Sequence, residues 1–132
     1  IIRTAECAGV HGIIIPKRGS VGVNGTVEKT SAGAAEHMLV AKVTNLASVI
    51  DDLKEHGMWF AAADMDGQPM YDIDLKGSLG IIIGNEGSGV SRLVKEKCDF
   101  IATIPMKGKI NSLNASVAGG ILMYEALRQR MQ

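Results

Sequence analysis

The stretch GNEGSGVS, residues 84–91, sets Gly84, Gly87 and Gly89 around Asn85, Glu86 and Ser88, directly after the apolar run LGIII. A strand that runs into glycines and then a helix start brings backbone N–H groups close to a ligand. Gly84, Gly89 and Ser91 nearly reproduce the spacing of a phosphate-cradling loop, G-x-x-x-x-G-K-[ST]. Val90, however, stands where that loop needs its lysine, and the Glu86 carboxylate would repel a phosphate at close range. The glycines do not give G-x-G-x-x-G either, which removes the dinucleotide fingerprint. The pattern suits a neutral or cationic ligand rich in hydroxyls and amides. A tight turn with glycines at positive φ and a surface glutamate accounts for the same residues without a ligand.

A second stretch, IPMKGKINSLNASVAGG (104–120), joins a strand end to a basic loop, Lys107, Gly108 and Lys109. The polar trio Asn111, Ser112 and Asn114 then leads into a helix, with Ser112 expected at the N-cap and Asn114 in the first turn. Gly119 and Gly120 inside a helix cost roughly 1 kcal/mol each against alanine. Close packing of another backbone against them is the expected compensation.

The elements that would position these loops alternate. Strands are predicted over HGIIIP (11–16), LVAKVT (39–44), MWFAAA (58–63), LGIIIG (79–84) and FIATIP (100–105). LGIIIG is apolar enough to be buried on both faces. Helices are predicted over 26–37, over NLASVIDDLKEHG (45–57) and over SRLVKEKC (91–98). The 45–57 helix has Asn45 as cap, a stripe of Leu46, Val49, Ile50 and Leu53, and Gly57 as its stop. DMDGQP (64–69) reads as a turn. From Ser112 to the end runs a helix with Leu113, Val117, Ile121, Tyr124 and Leu127 or Arg128 near one face. RTAECAGV (3–10) reads as the end of a short helix stopping at Gly9, so further residues are expected before Ile1. The alternation predicts an α/β domain with a mostly parallel sheet flanked by helices.

Composition narrows the classes. The 132 residues fit one domain, and 46% apolar content excludes disorder. No run is long enough for a membrane span, and the opening residues carry no secretory leader pattern. Cys7 and Cys98 alone predict no disulfide framework, which makes a reduced, cytoplasmic setting the expectation. His11, His37 and His56 show no ligand spacing with either cysteine, so no metal is expected. Fourteen basic residues balance fourteen acidic ones, and any nucleic-acid surface would have to be local.

Taken together, RTA (3–5), GNEGSGVS (84–91) and IPMKGKINSLNASVA (104–118) resemble the three motifs of the SpoU-type RNA ribose 2′-O-methyltransferases of the SPOUT superfamily. Residues 16–46 are similar to the branch that methylates a guanosine of 23S ribosomal RNA. The resemblance implies a SPOUT fold with a C-terminal deep trefoil knot and S-adenosyl-L-methionine as cofactor. By position it makes Gly84, Ile104 and Leu113 cofactor contacts, with Asn85, Glu86, Met106 and Ser112 nearby. It gives Arg3 and Asn114 catalytic parts and implies a homodimer with motif residues of both subunits at each cofactor. The family's motif-one asparagine and its N-terminal RNA-binding domain have no counterpart in these 132 residues. The whole chain therefore reads as a catalytic domain acting on ribosomal RNA, with transfer RNA as the alternative substrate.

The chemistry constrains the roles. Methyl transfer to a ribose 2′-oxygen is chiefly a positioning problem, with one proton to remove. These motifs contain no histidine. Arginine keeps its proton in proteins, so Arg3 suits a bidentate grip on a phosphate better than the part of base. Glu86 is read as structural, with proton acceptor as its alternative role, and Ser112 as a polar neighbour of the reacting groups. Two competing readings are a cofactor-binding dimerisation module inactive without an RNA-binding domain, and a nucleotide-binding enzyme of another class. The C-terminal helix is apolar around too much of its circumference for a surface helix, which predicts a homodimer built on it.

Overall fold

The computed structural model describes residues 1–17, 38–84, 89–109 and 113–132. The predicted helix over 26–37 lies outside them. Along the chain run α1 (Ile2–Cys7), β1 (Gly12–Pro16), β2 (Leu39–Val43), α2 (Leu46–Glu55), β3 (Trp59–Pro69), a 3-10 turn (Met70–Asp72), β4 (Leu79–Ile82), α3 (Arg92–Lys97), β5 (Phe100–Thr103) and α4 (Ala115–Arg130). All pairings are parallel: β1 with β2, and β4-β3-β5 with β3 in the centre. The loops through which the expected knot would thread include 85–88 and 110–112, outside the described residues.

Strand alternation sorts the core into two faces. Phe60 and Ala62 point to one side, where Ile50 of α2 and Val90 and Val94 around the start of α3 bury them together with Ile82 and Ile101. Ala61 and Ala102 point to the other side, under Leu122 and Ala126 of α4 and under Met70, Ile73 and Leu75. Ile81 joins this second side and also reaches the cluster of Ile2, Ala5, Met38 and Met123, through which α1 docks. The result is helices on both faces of a parallel sheet, as the alternation predicts.

The caps follow local chemistry. The Asn45 side chain accepts the Ser48 N–H at 3.1 Å and opens α2, and Gly57 at φ +90° ends it. Ser91 caps α3 by accepting from the Val94 N–H at 3.3 Å.

Three expectations need correction. DMDGQP is not a turn: β3 continues through it, pairing Ala63 and then Gln68 with the same Ala102, so residues 64–67 form a bulge. The cap of α4 is Asn114, whose Oδ1 accepts the Ser116 N–H at 2.9 Å, so the helix begins later than Ser112. The stripe predicted near one face of α4 is also displaced from the face that is buried. The buried positions of α4 are Gly119, Leu122, Met123, Glu125, Ala126 and Gln129, whereas Val117 and Tyr124 are 49% and 46% exposed.

The paired glycines are explained by side chains rather than by a neighbouring backbone. A Cβ at Gly119 would meet Ile1 Cδ1 at 3.1 Å and Ile83 Cγ1 at 3.3 Å, and one at Gly120 would meet the Thr4 methyl at 3.3 Å. Small residues here let α1 and the end of β4 lie against α4.

Candidate functional site at the carboxyl ends of the strands

Because β4, β3 and β5 are parallel, the loops that leave β4 and β5 emerge at the same edge of the sheet, one on each side of β3. Ligands of open α/β sheets bind outside this edge. Gly84 and Ile104 therefore follow strand ends at one edge, on either side of β3, although twenty residues of chain separate them.

The first loop is drawn shut at its neck. A Cβ on Gly84 would lie 2.1 Å from the Gly89 carbonyl carbon and 2.3 Å from the Val90 nitrogen. Gly89 itself holds φ +70°, a conformation that favours glycine. The glycine at 84 is thus demanded by the loop's own backbone, whatever the loop holds. Val90, in the position of a phosphate loop's lysine, is buried among Ile50, Phe60, Ala62 and Val94 and anchors the returning strand of the loop. Asn85, Glu86 and Ser112 lie outside the described residues.

The second loop presents a different surface. Ile104 packs partly into the core beside α4, while Met106 and Leu113 stay 38% and 39% exposed at the same edge. Lys107 and Lys109 are exposed and make no ion pair among the described residues. Asn114 Oδ1 accepts both the Ser116 N–H at 2.9 Å and the Ser116 hydroxyl at 2.6 Å. This fixes its side chain as the hinge between loop and helix.

Arg3 sits on the exposed side of α1 without an ion pair among the described residues. Its helix nonetheless begins close by, since Ile1 and Ile83 meet over Gly119 one residue before Gly84. Between α1 and α4 lies an open groove of about 440 Å³, lined by Ile1, Thr4, Val117, Gly120, Ile121 and Tyr124. It reaches Ser116 in the first turn of α4, next to Asn114.

Sequence reasoning missed the connection between the two loops. Lys95 of α3 forms an ion pair with Asp64 on the β3 bulge. Its ammonium, hydrogen-bonded to the Asp64 side chain, holds that carboxyl below the usual carboxylate range. Thr103 at the end of β5 accepts the Gly67 N–H at 2.8 Å and donates to the Asp64 carbonyl at 2.8 Å. The signal was present in sequence as a glycine and a proline directly after a strand, residues that mark a bulge and a strand end as readily as a turn. No cluster of three or more potential metal ligands occurs among the described residues, and no helix among them is long and apolar enough to cross a membrane.

The parallel strands and the helices on both faces define an α/β domain in which two strand-to-helix connections leave one edge of the sheet. The chain belongs to the SpoU rRNA methylase family, whose model matches residues 1–124. It is 56% identical over 133 residues to a Staphylococcus haemolyticus protein of the TrmH tRNA/rRNA methyltransferase family, covering 100% of this chain and 53% of that one. It is 52% identical to the TrmH-family protein YacO of Bacillus subtilis, covering 98% and 53%. The chain thus spans about half the length of the curated relatives it matches.

Solved structures agree. The SpoU methyltransferase AviRb of Streptomyces viridochromogenes, crystallised with AdoMet, superposes with a TM-score of 0.91 at 29% identity, over 99% of this chain and 54% of that one. A TrmH/SpoU tRNA-modifying enzyme of A. aeolicus gives 0.88 at 30% identity, over 98% and 66%. The SPOUT-type α/β architecture expected from the motifs is the one these structures share.

Proposed function

We propose that residues 1–132 form the catalytic domain of an S-adenosylmethionine-dependent methyltransferase that modifies a ribose 2′-hydroxyl of ribosomal RNA, a guanosine of 23S RNA being the finer reading. One observation carries it: the second and third motif segments leave the same edge of one parallel sheet, on either side of β3, as a ligand held by both loops requires. Family membership and a relative crystallised with AdoMet support the same reading.

The residues present fit that cofactor. Ile104, Met106 and Leu113 offer an apolar surface at the sheet edge, suited to an adenine face, and the Gly84 neck brings backbone close to it. Asn85, Glu86 and Ser112 belong to the same two loops and are proposed as its polar neighbours. When bound, S-adenosylmethionine supplies a methyl group on a positively charged sulfur, an electrophile that needs no lysine beside it.

The chain's own task is to hold the acceptor ribose. Arg3, with a bidentate guanidinium, is proposed to grip the phosphate next to the target nucleotide. Lys107 and Lys109 add cations at the same edge. Asn114 is proposed as a positioning residue, because its carboxamide oxygen is already committed to the helix cap. The α1/α4 groove is proposed as the face on which a second copy docks. Its Ser116 end lies beside Asn114, so a partner's α1 seated there would carry an arginine to this site.

Titration calorimetry with S-adenosylmethionine, ATP and NAD tests the cofactor. Only the first is expected to bind, and Leu113→Ala should weaken it about tenfold through lost apolar contact. Leu113 is a better probe than Gly84, since any side chain at 84 collides with the loop's own backbone. Methylation of 23S RNA fragments and of tRNA, read as alkali-resistant linkages, identifies the substrate. Transfer to tRNA alone would replace the ribosomal reading.

A further inference from the structure

The bulge of β3 lies between the two loops and is bonded to the element behind each. Lys95, four residues beyond Ser91, closes onto the Asp64 carboxylate. Thr103, one residue before Ile104, receives the Gly67 N–H and donates to the Asp64 carbonyl, both at 2.8 Å. The Asp64 Oδ1 also accepts the Met65 N–H at 2.6 Å, which fixes the carboxylate to its own backbone. Gly67 presses so closely on β5 that a Cβ there would lie 2.1 Å from the Ile101 carbonyl oxygen. One bulge thereby ties the helix after the first loop to the strand before the second.

Four residues inserted at this place do nothing for the sheet. They interrupt the β3–β5 ladder just where it reaches the site. Bulges recur beside active sites because they re-aim side chains. Here the side chain re-aimed is Asp64, which has Lys95 as its partner. The ion pair is partly exposed, and such pairs add little to global stability. Its geometric effect is larger, since it fixes where α3, and with it Gly89 and Val90, sits relative to β5.

We infer that Asp64, Lys95 and Thr103 are positioning residues that set the distance between the two cofactor loops. The inference rests on the proposed cofactor site. Thr103→Val keeps the side-chain shape and removes the hydroxyl. Lys95→Met keeps the apolar stem and removes the charge. Each should weaken S-adenosylmethionine binding about tenfold, the scale of one hydrogen bond to a buried or charged group. Thr103→Ser and Lys95→Arg should restore most of it.

Amide hydrogen exchange supplies a readout independent of the ligand. In both deleting variants Val90 and Met106 should exchange faster, and the serine and arginine variants should match the parent. Unchanged exchange at both amides overturns the brace, whether or not the parent binds cofactor. Failure of the parent to bind S-adenosylmethionine, with exchange accelerated as expected, would instead refute the cofactor reading. A loss of thermal stability with exchange and affinity unchanged would reduce the three residues to a fold contact and overturn the inference.

Discussion

The two halves of α4 are built on opposite principles. Its second half is bound by polar side chains: buried Gln129 accepts the Leu75 N–H at 2.8 Å and donates to the Ile73 carbonyl at 3.0 Å, and also to Glu125 at 3.0 Å. Arg130 reaches the Gly77 carbonyl at 2.6 Å. Its first half has small residues against α1, and Val117 and, just past the midpoint, Tyr124 are exposed along an apolar groove. One half finds partners within the chain for its buried side chains. The other borders a groove that stays open. The contrast teaches that the helix is an anchor at one end and, on the proposed reading, a docking face at the other.

Gln129→Met should break the anchored half most severely. It keeps the volume but leaves a buried N–H and a buried carbonyl unpaired, for a loss of about 3 kcal/mol. Urea midpoints measure it, and a loss under about 1 kcal/mol would show the network to be incidental. Tyr124→Arg should disrupt the open groove, weakening self-association by about 2 kcal/mol as a central aromatic contact does. Sedimentation would then show a 14.0 kDa species at concentrations where the parent associates. An unchanged distribution would remove the groove from the interface.

Asn114→Ala, at the boundary between loop and open half, should cost about 1 kcal/mol of cap energy. A loss of methyl transfer beyond what that instability explains would mark the positioning role. The smallest effect sharpens the anchored half. Arg128 bonds Glu125 at 2.7 and 3.0 Å and holds its carboxyl below the usual range. That contribution is present above the ordinary glutamate range and is lost as pH falls through the depressed folded value. Arg128→Ala should therefore flatten the acid limb of the stability curve. A limb as steep as the parent's would assign acid sensitivity to other carboxylates, Asp64 first.

Much of the fold was legible because strands and helices here differ in period. HGIIIP, LVAKVT and LGIIIG are too apolar and too short for helices, and Asn45 and Ser91 cap where side-chain chemistry predicts. The bulge was not legible, because Asp, Gly and Pro serve turns and bulged strand ends alike. Only the Thr103 hydroxyl and the close approach of Gly67, supplied by a strand some 36 residues away, decide between them. The face of α4 was misread for a related reason. Gln129 looks like a surface residue until Ile73 and Leu75 offer it partners, and Glu125 is buried beside it, bonded to Gln129 and Arg128. At the site, the family resemblance paired Gly84 with Ile104, and the parallel strands bring both to one edge of the sheet. The Asp64–Lys95 pair has no sequence signature, since the two meet only through the topology.

The docking of α1 on α4 carries a consequence for synthesis. Ile2 and Ala5 leave the ribosome well before the Met123 that helps bury them, which lies more than a hundred residues downstream. At about 5–20 residues per second, ribosomes need roughly 6–24 s to deliver it. For that interval the apolar face of the first helix lacks its permanent cover, so the nascent chain, rather than the finished domain, is the stage at which aggregation and chaperone capture would concentrate.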